Sequence, residues 1–140
     1  MKPEAADYLG KARQCLDDAT QIAAATALHH IVAREAYLAA YHAAEAYLFE
    51  RTGKAAKTHR GLRSEFGRLA RGDPRIDREF LTFLAEAYEY KSIADYGVGS
   101  PSITGEDARL TPPAGSLTAS LHFWREVCGN ININAPRHGR

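Results

Sequence analysis

Tyr8, Ala12, Cys15, Leu16, Ala19 and Ile22 recur at three- and four-residue steps. That spacing lays one apolar stripe along a helix and is incompatible with the two-residue alternation of a half-buried strand. It predicts a first helix over residues 4–25. A second helix is expected over 27–51, with Leu28, Ile31, Leu38, Tyr41, Leu48 and Phe49 along its inner side. The same segment carries Ala36, Ala39, Ala40, Ala43, Ala44 and Ala46, small enough to let another backbone approach closely. Gly53 is its natural stop, and Arg51 suits the negative end of the helix dipole.

Thr58 is a good N-cap for a third helix running to about Ala70, with Leu62, Phe66 and Leu69 as its stripe. Gly72 and Asp73-Pro74 then mark a turn over 71–75. A fourth helix is expected from about Pro74 to Ile93, placing Phe80, Phe83, Leu84, Ala87 and Tyr88 inward. Gly97 and Gly99 end it. Thr104 and Asp107 have capping-box spacing, but Pro112 and Pro113 stop any helix there. A last helix starts near Ser116 with Leu117, Leu121, Trp124 and Val127. The expected fold class is all-α, an up-and-down antiparallel bundle of four to five helices. Residues 1–129 form a single domain, and 130–140 form a flexible C-terminal tail.

The bulk numbers fit this. A chain of 140 residues, 45% hydrophobic and 25% charged, can bury one core without staples. A net charge of +1 gives no global pull toward nucleic acid or membrane, so any such preference must be local. Cys15 and Cys128 lack metal-ligand spacing and read as buried thiols of a reduced, cytoplasmic protein. The opening "MKPEAADYLG" has no apolar run, and no stretch is long enough to span a membrane. No phosphate loop, HExxH, GxSxG or CxxC is present, and no two histidines stand three or four residues apart. The expectation is therefore no metal and no cofactor.

Three constellations carry possible chemistry. Arg34, His42 and Glu45 share one face of the second helix, with His42 and Glu45 within side-chain reach. They read either as an acid–base or binding cluster or as a satisfied polar strip. The segment 54–73 holds Lys54, Lys57, Arg60, Arg63, Arg68 and Arg71 against Glu65 and Asp73. Such a basic face can neutralise phosphates or simply stay solvated. Apart from Phe66 on the apolar stripe, no aromatics interleave with it in the sequence, which argues against a stacking platform for single strands. Lys91 lies three helical turns beyond Phe80, on the apolar stripe, and must snorkel or find a carboxylate such as Asp95.

Taken in order, "AREAYLAAYHAAEAYLFERTG", "THRGLRSEF" and "KSIADYG" resemble the HEPN family of small helical domains. Within it, they are similar to a bacterial branch with an R-x-x-A-D-Y element. The resemblance covers about residues 5 to 98. It implies a homodimer, often working with a minimal nucleotidyltransferase in a toxin–antitoxin pair. Many such domains are ribonucleases, in which an arginine and a histidine four to six residues later cut RNA by metal-independent 2′-OH attack. The histidine moves the proton and the arginine stabilises the charged phosphorane.

This chain departs from that pair. Arg34–His42 and Arg51–His59 both have seven residues between them. If Lys91 stands at the arginine position, Tyr96 stands where the histidine would. Lysine lacks the planar phosphate-gripping fork, and tyrosine, with a pKa near 10, is a poor base at neutral pH. The expectation is accordingly a binding or regulatory module for RNA or a nucleotide, using Arg34, His59, Arg60, Arg63 and Arg68. The alternatives are an active endoribonuclease toxin drawing on Lys91, Asp95, Tyr96 and His42, and a purely structural interaction protein.

Overall fold

The computed structural model describes residues 2–74 and, beyond them, 76, 78, 80–82, 84, 85 and 88. Three helices are complete: α1 (Pro3–Ala25), α2 (His29–Thr52) and α3 (His59–Ala70). Residues 78, 80–82, 84, 85 and 88 are also helical, and no strand occurs among the described residues. The fold is the expected all-α bundle. The expected capping box at Thr104, the helix from Ser116 and the tail 130–140 lie outside the described residues.

Helix α1 and helix α2 form an antiparallel hairpin. Ala5, Leu9, Ala12, Leu16 and Ala19 are the buried stripe of α1. They meet an alanine-rich face of α2 on which Ala36, Ala39, Ala40, Ala43, Ala44 and Ala46 are all buried. Small side chains there bring the two backbones close, so the hairpin is held by many weak dispersion contacts instead of a few large ones. Its open end is tied by Lys2. The Lys2 backbone amide donates to Glu50 Oε2 at 2.7 Å, and its ammonium donates to the Glu50 carbonyl at 2.7 Å. The cation thereby satisfies a carbonyl of the last turn of α2 and sits at the negative end of its dipole.

Helix α2 begins two residues later than its sequence pattern suggests. Thr26 is extended and its hydroxyl bonds back to the Ile22 carbonyl while accepting from the Leu28 amide. This Thr-centred turn closes the hairpin and leaves Leu28 outside, 49% exposed. The inner line of α2 is also corrected. Val32, Tyr37 and Tyr47 are buried, whereas Ile31, Leu38, Tyr41 and Phe49 are only half-buried. At its far end Gly53 takes φ 70°, the left-handed geometry that closes a helix and that glycine adopts without a Cβ penalty.

Thr58 caps α3 as expected, its hydroxyl accepting from the Gly61 amide at 2.9 Å. Leu62, Phe66 and Ala70 are its buried stripe. The turn at 71–74 follows, and Pro74 belongs to that turn, so the next helix starts later than Pro74. Phe80 and Leu84 join the core and Tyr88 is half-buried; Phe83 and Ala87 lie outside the described residues. Phe66 packs edge-on against both Tyr47 and Phe80, at 5.4 and 5.2 Å between ring centroids. These three rings join α2, α3 and the following helical segment.

Candidate functional site

His59 is the first residue of α3, and the connection 53–58 delivers it to the middle of α2. There it enters a group of aromatic rings. Its ring centroid lies 4.4 Å from Tyr41, 5.2 Å from Tyr88 and 5.8 Å from Tyr37. The Tyr37 hydroxyl is 2.7 Å from His59 Nδ1. Tyr37 and Tyr41 are four residues apart on α2, so they share a face. One helical turn after His59, the Arg63 guanidinium lies over the Tyr88 ring at 4.7 Å. A histidine and an arginine of α3 therefore touch the same tyrosine.

Burial sets the acid–base character of this group. Tyr37 is wholly enclosed, and burial drives its pKa far up, so the phenol keeps its proton. Burial, and then the nearby Glu45 carboxylate, push Tyr41 up to about 12. Neither phenol can serve as a base at neutral pH. The imidazole remains the natural proton-handling group among these rings.

Tyr41 also connects to the predicted Arg34, His42 and Glu45 constellation. His42 Nδ1 and Glu45 Oε2 are 2.7 Å apart, as the three-residue spacing suggests, and the His42 ring meets Tyr41 edge-on at 5.5 Å. The Tyr41 ring thus contacts both His42 and His59. Arg34 pairs with its neighbour Glu35 at 2.9 Å. On α1, burial and then Glu35 of α2 push the Cys15 thiol up to about 11.

Most basic residues of segment 54–73 face solvent. Arg60, Arg68 and Arg71 are exposed, and Arg68 pairs with Glu65 at 2.8 Å on the surface. Arg63 differs from them by folding over Tyr88, half-buried. The remaining predicted site residues, Lys91, Asp95 and Tyr96, lie outside the described residues. Among the described residues no group of three His, Cys, Asp or Glu side chains could hold a metal ion. No helix among them is long and apolar enough to cross a membrane.

Tyr37 is the site residue missed by reading the stripes. Its four-residue spacing from Tyr41 was the available signal. Within the basic segment the sequence offers Phe66 alone as an aromatic ring, and the fold buries it in the core. The rings beside His59 and Arg63 come from α2 and from the segment after the 71–74 turn.

Comparison with family profiles matches the HEPN domain over residues 5–110. This chain belongs to the HEPN domain family. Comparison with curated proteins finds no match, and comparison with solved structures finds none. The HEPN match spans α1, α2, α3 and the aromatic group around His59. It is consistent with a nucleotide- or RNA-related module.

Proposed function

We propose that this HEPN domain is an RNA-binding regulatory module that holds its ligand at the start of α3 without cutting it. The observation that carries the reading is the meeting of His59 and Arg63 on the Tyr88 ring, flanked by the exposed Arg60 and Arg68. Guanidinium groups offer phosphates a planar fork of donors, and an imidazole adds one more. Non-cleavage follows from the neighbours of that histidine. Tyr37 and Tyr41, the α2 phenols beside His59, keep their protons at neutral pH and so offer the imidazole no second base for acid–base cleavage of RNA. The family resemblance supports the remainder of the proposal: a cytoplasmic homodimer acting beside a minimal nucleotidyltransferase in a toxin–antitoxin system.

The test is fluorescence anisotropy with a labelled single-stranded RNA, repeated across salt. Wild type is expected to bind with a negative log–log salt slope. Arg63→Ala is expected to weaken binding and to flatten that slope by about 0.7 for each phosphate it no longer neutralises. Binding that ignores both salt and Arg63→Ala would remove the basis of the reading. Incubation of total RNA with the protein in EDTA separates the rival. Intact RNA is expected; cleavage abolished by His59→Ala would establish the ribonuclease instead. That rival has one observation in its favour, the arginine–histidine meeting at Tyr88 itself. Sizing of the pure protein tests the dimer.

A further inference from the structure

Arg63 differs from the other arginines of the described residues in how its charge is met. Arg34 pairs with Glu35, Arg51 with Asp73 and Arg68 with Glu65, at 2.9, 3.3 and 2.8 Å. Arg13, Arg60, Arg71 and Arg78 stand exposed to solvent. Arg63 is half-buried and, among the described residues, meets no carboxylate; its guanidinium lies 4.7 Å from the Tyr88 ring centroid. Half-burial strips such a cation of part of its water, and a ring face returns only part of that loss. The ring attracts the charge through its face and leaves the N–H donors for another partner. Those donors form a planar fork suited to two oxygens of one phosphate.

We propose that Tyr88 is a positioning residue for Arg63, holding the guanidinium fork in place so that two of its N–H donors grip one RNA phosphate at once. This rests on the RNA-binding reading and deepens it. The seat is itself held. Tyr37, wholly buried, meets the Tyr88 ring edge-on at 5.9 Å and 61°, and the His59 ring lies against it at 5.2 Å. Arg63 rises from α3 one turn after His59, so its backbone is fixed by the same packing. A fork ordered before the ligand arrives spares binding the cost of ordering a long side chain. A lysine at this position would carry the same charge without the fork, so the site requires arginine and not merely a cation. The exposed Arg60 adds charge without such a seat among the described residues.

The experiment has two readouts on the full-length protein. The first is NMR without RNA, following the Arg63 side-chain signals, assigned with Arg63→Lys. A ring-current displacement of those signals is expected in wild type and in Tyr88→Phe, and should disappear in Tyr88→Leu. The second is binding of a labelled single-stranded RNA across salt. Arg63→Lys keeps the charge and should keep the salt slope, while affinity falls by about threefold to tenfold, the range for one lost hydrogen bond of the fork. Tyr88→Leu should weaken binding by a similar factor at unchanged slope, and Tyr88→Phe should bind as wild type. In an Arg63→Ala background Tyr88→Leu should cost nothing further, because the ring acts through the guanidinium. A ring with a merely structural role would weaken binding in both backgrounds. Arg63→Lys that binds like wild type, an additive loss in the double variant, or wild-type Arg63 signals without displacement overturns the proposal. If Tyr88→Leu does not fold, the wild-type spectrum and Arg63→Lys still decide it. A wild type that shows the displacement but binds no RNA refutes the binding reading and leaves the seating of Arg63 on Tyr88 supported.

Discussion

The Tyr47 hydroxyl donates to Asp73 Oδ2 at 2.8 Å, tying the last turns of α2 to the turn that follows α3. Arg51 Nη2 donates to the Tyr47 oxygen at 2.8 Å and to the same carboxylate oxygen at 3.3 Å. Asp73 is the buried charged residue of the described core, and the guanidinium, about half exposed, brings its countercharge in from the solvent side. Tyr47→Phe should cost about 1 kcal/mol, because both bonds at that oxygen are lost but Arg51 still reaches the carboxylate. Asp73→Ala should cost more, about 1–3 kcal/mol, because it leaves the buried Tyr47 hydroxyl without its acceptor. Urea unfolding with an unchanged slope would measure both; equal, negligible shifts would show that the clamp is decorative.

Two glycines of α3 should respond oppositely to alanine. A Cβ on Gly67 meets nothing within 4 Å, so Gly67→Ala should stabilise by about 0.5–1 kcal/mol through helix propensity alone. A Cβ on Gly61 would stand 3.0 Å from Thr58 Oγ1, the atom that caps the helix. Gly61→Ala should therefore gain little or lose stability, and the difference should vanish in a Thr58→Ala background, where the cap is already gone. Thermal melts of the single and double variants would check it.

The alanine face of α2 should reject added volume. Ala40 and Ala43 are fully buried among the hairpin contacts. Ala40→Leu forces the α1 backbone outward and should cost about 1–3 kcal/mol or more. The solvent-facing Ala24→Leu, on α1, should be nearly neutral in the same denaturation experiment.

Alkaline pH should unfold the protein through its buried phenols. Tyr41 ionises at its ordinary 10.0 when unfolded and at about 12 in the fold, driven first by burial and then by Glu45. Unfolding releases a proton within that window. The stabilisation is complete below pH 10 and is lost as pH rises toward 12. Tyr37 and Tyr47 are shifted in the same direction, chiefly by burial. Tyrosinate absorbance and helical circular dichroism should change together; absorbance that rises while the helix persists would contradict this.

Cys15 should be a sluggish nucleophile. Burial and Glu35 hold its thiol up at about 11 against an ordinary 9.0, so little thiolate exists at neutral pH. In a Cys128→Ser background, alkylation in native buffer should be far slower than in urea. Equal rates in the two conditions would argue that the thiol is open to solvent.

What was legible in the sequence was whatever a local rule decides. The alanine face, the stop at Gly53 and the Thr58 cap each depend on residues within a turn or two, and each stands as expected. The His42–Glu45 pair belongs to the same kind, being a three-residue step on one helix. The placement of His59 was not legible, because it depends on the path of residues 53–58 back along α2. No periodicity records that path. For the same reason, the sequence separates Tyr37, Tyr41 and Tyr88 from the basic residues they border in space. Leu28 was misplaced by a competing local interaction: the Thr26 hydroxyl takes the Leu28 amide into the turn and delays α2.

Tyr37 reaches the beginning of α3 and Tyr47 reaches the turn beyond its end, so α2 works as a ruler with two marks. Each residue inserted or deleted between those marks would rotate one phenol by about 100° relative to the other. Both anchors then could not be engaged at once. Length variation in this chain is therefore tolerable in the 53–58 connection but not within residues 38–46, where even one residue more or less would unfasten α3 at one end.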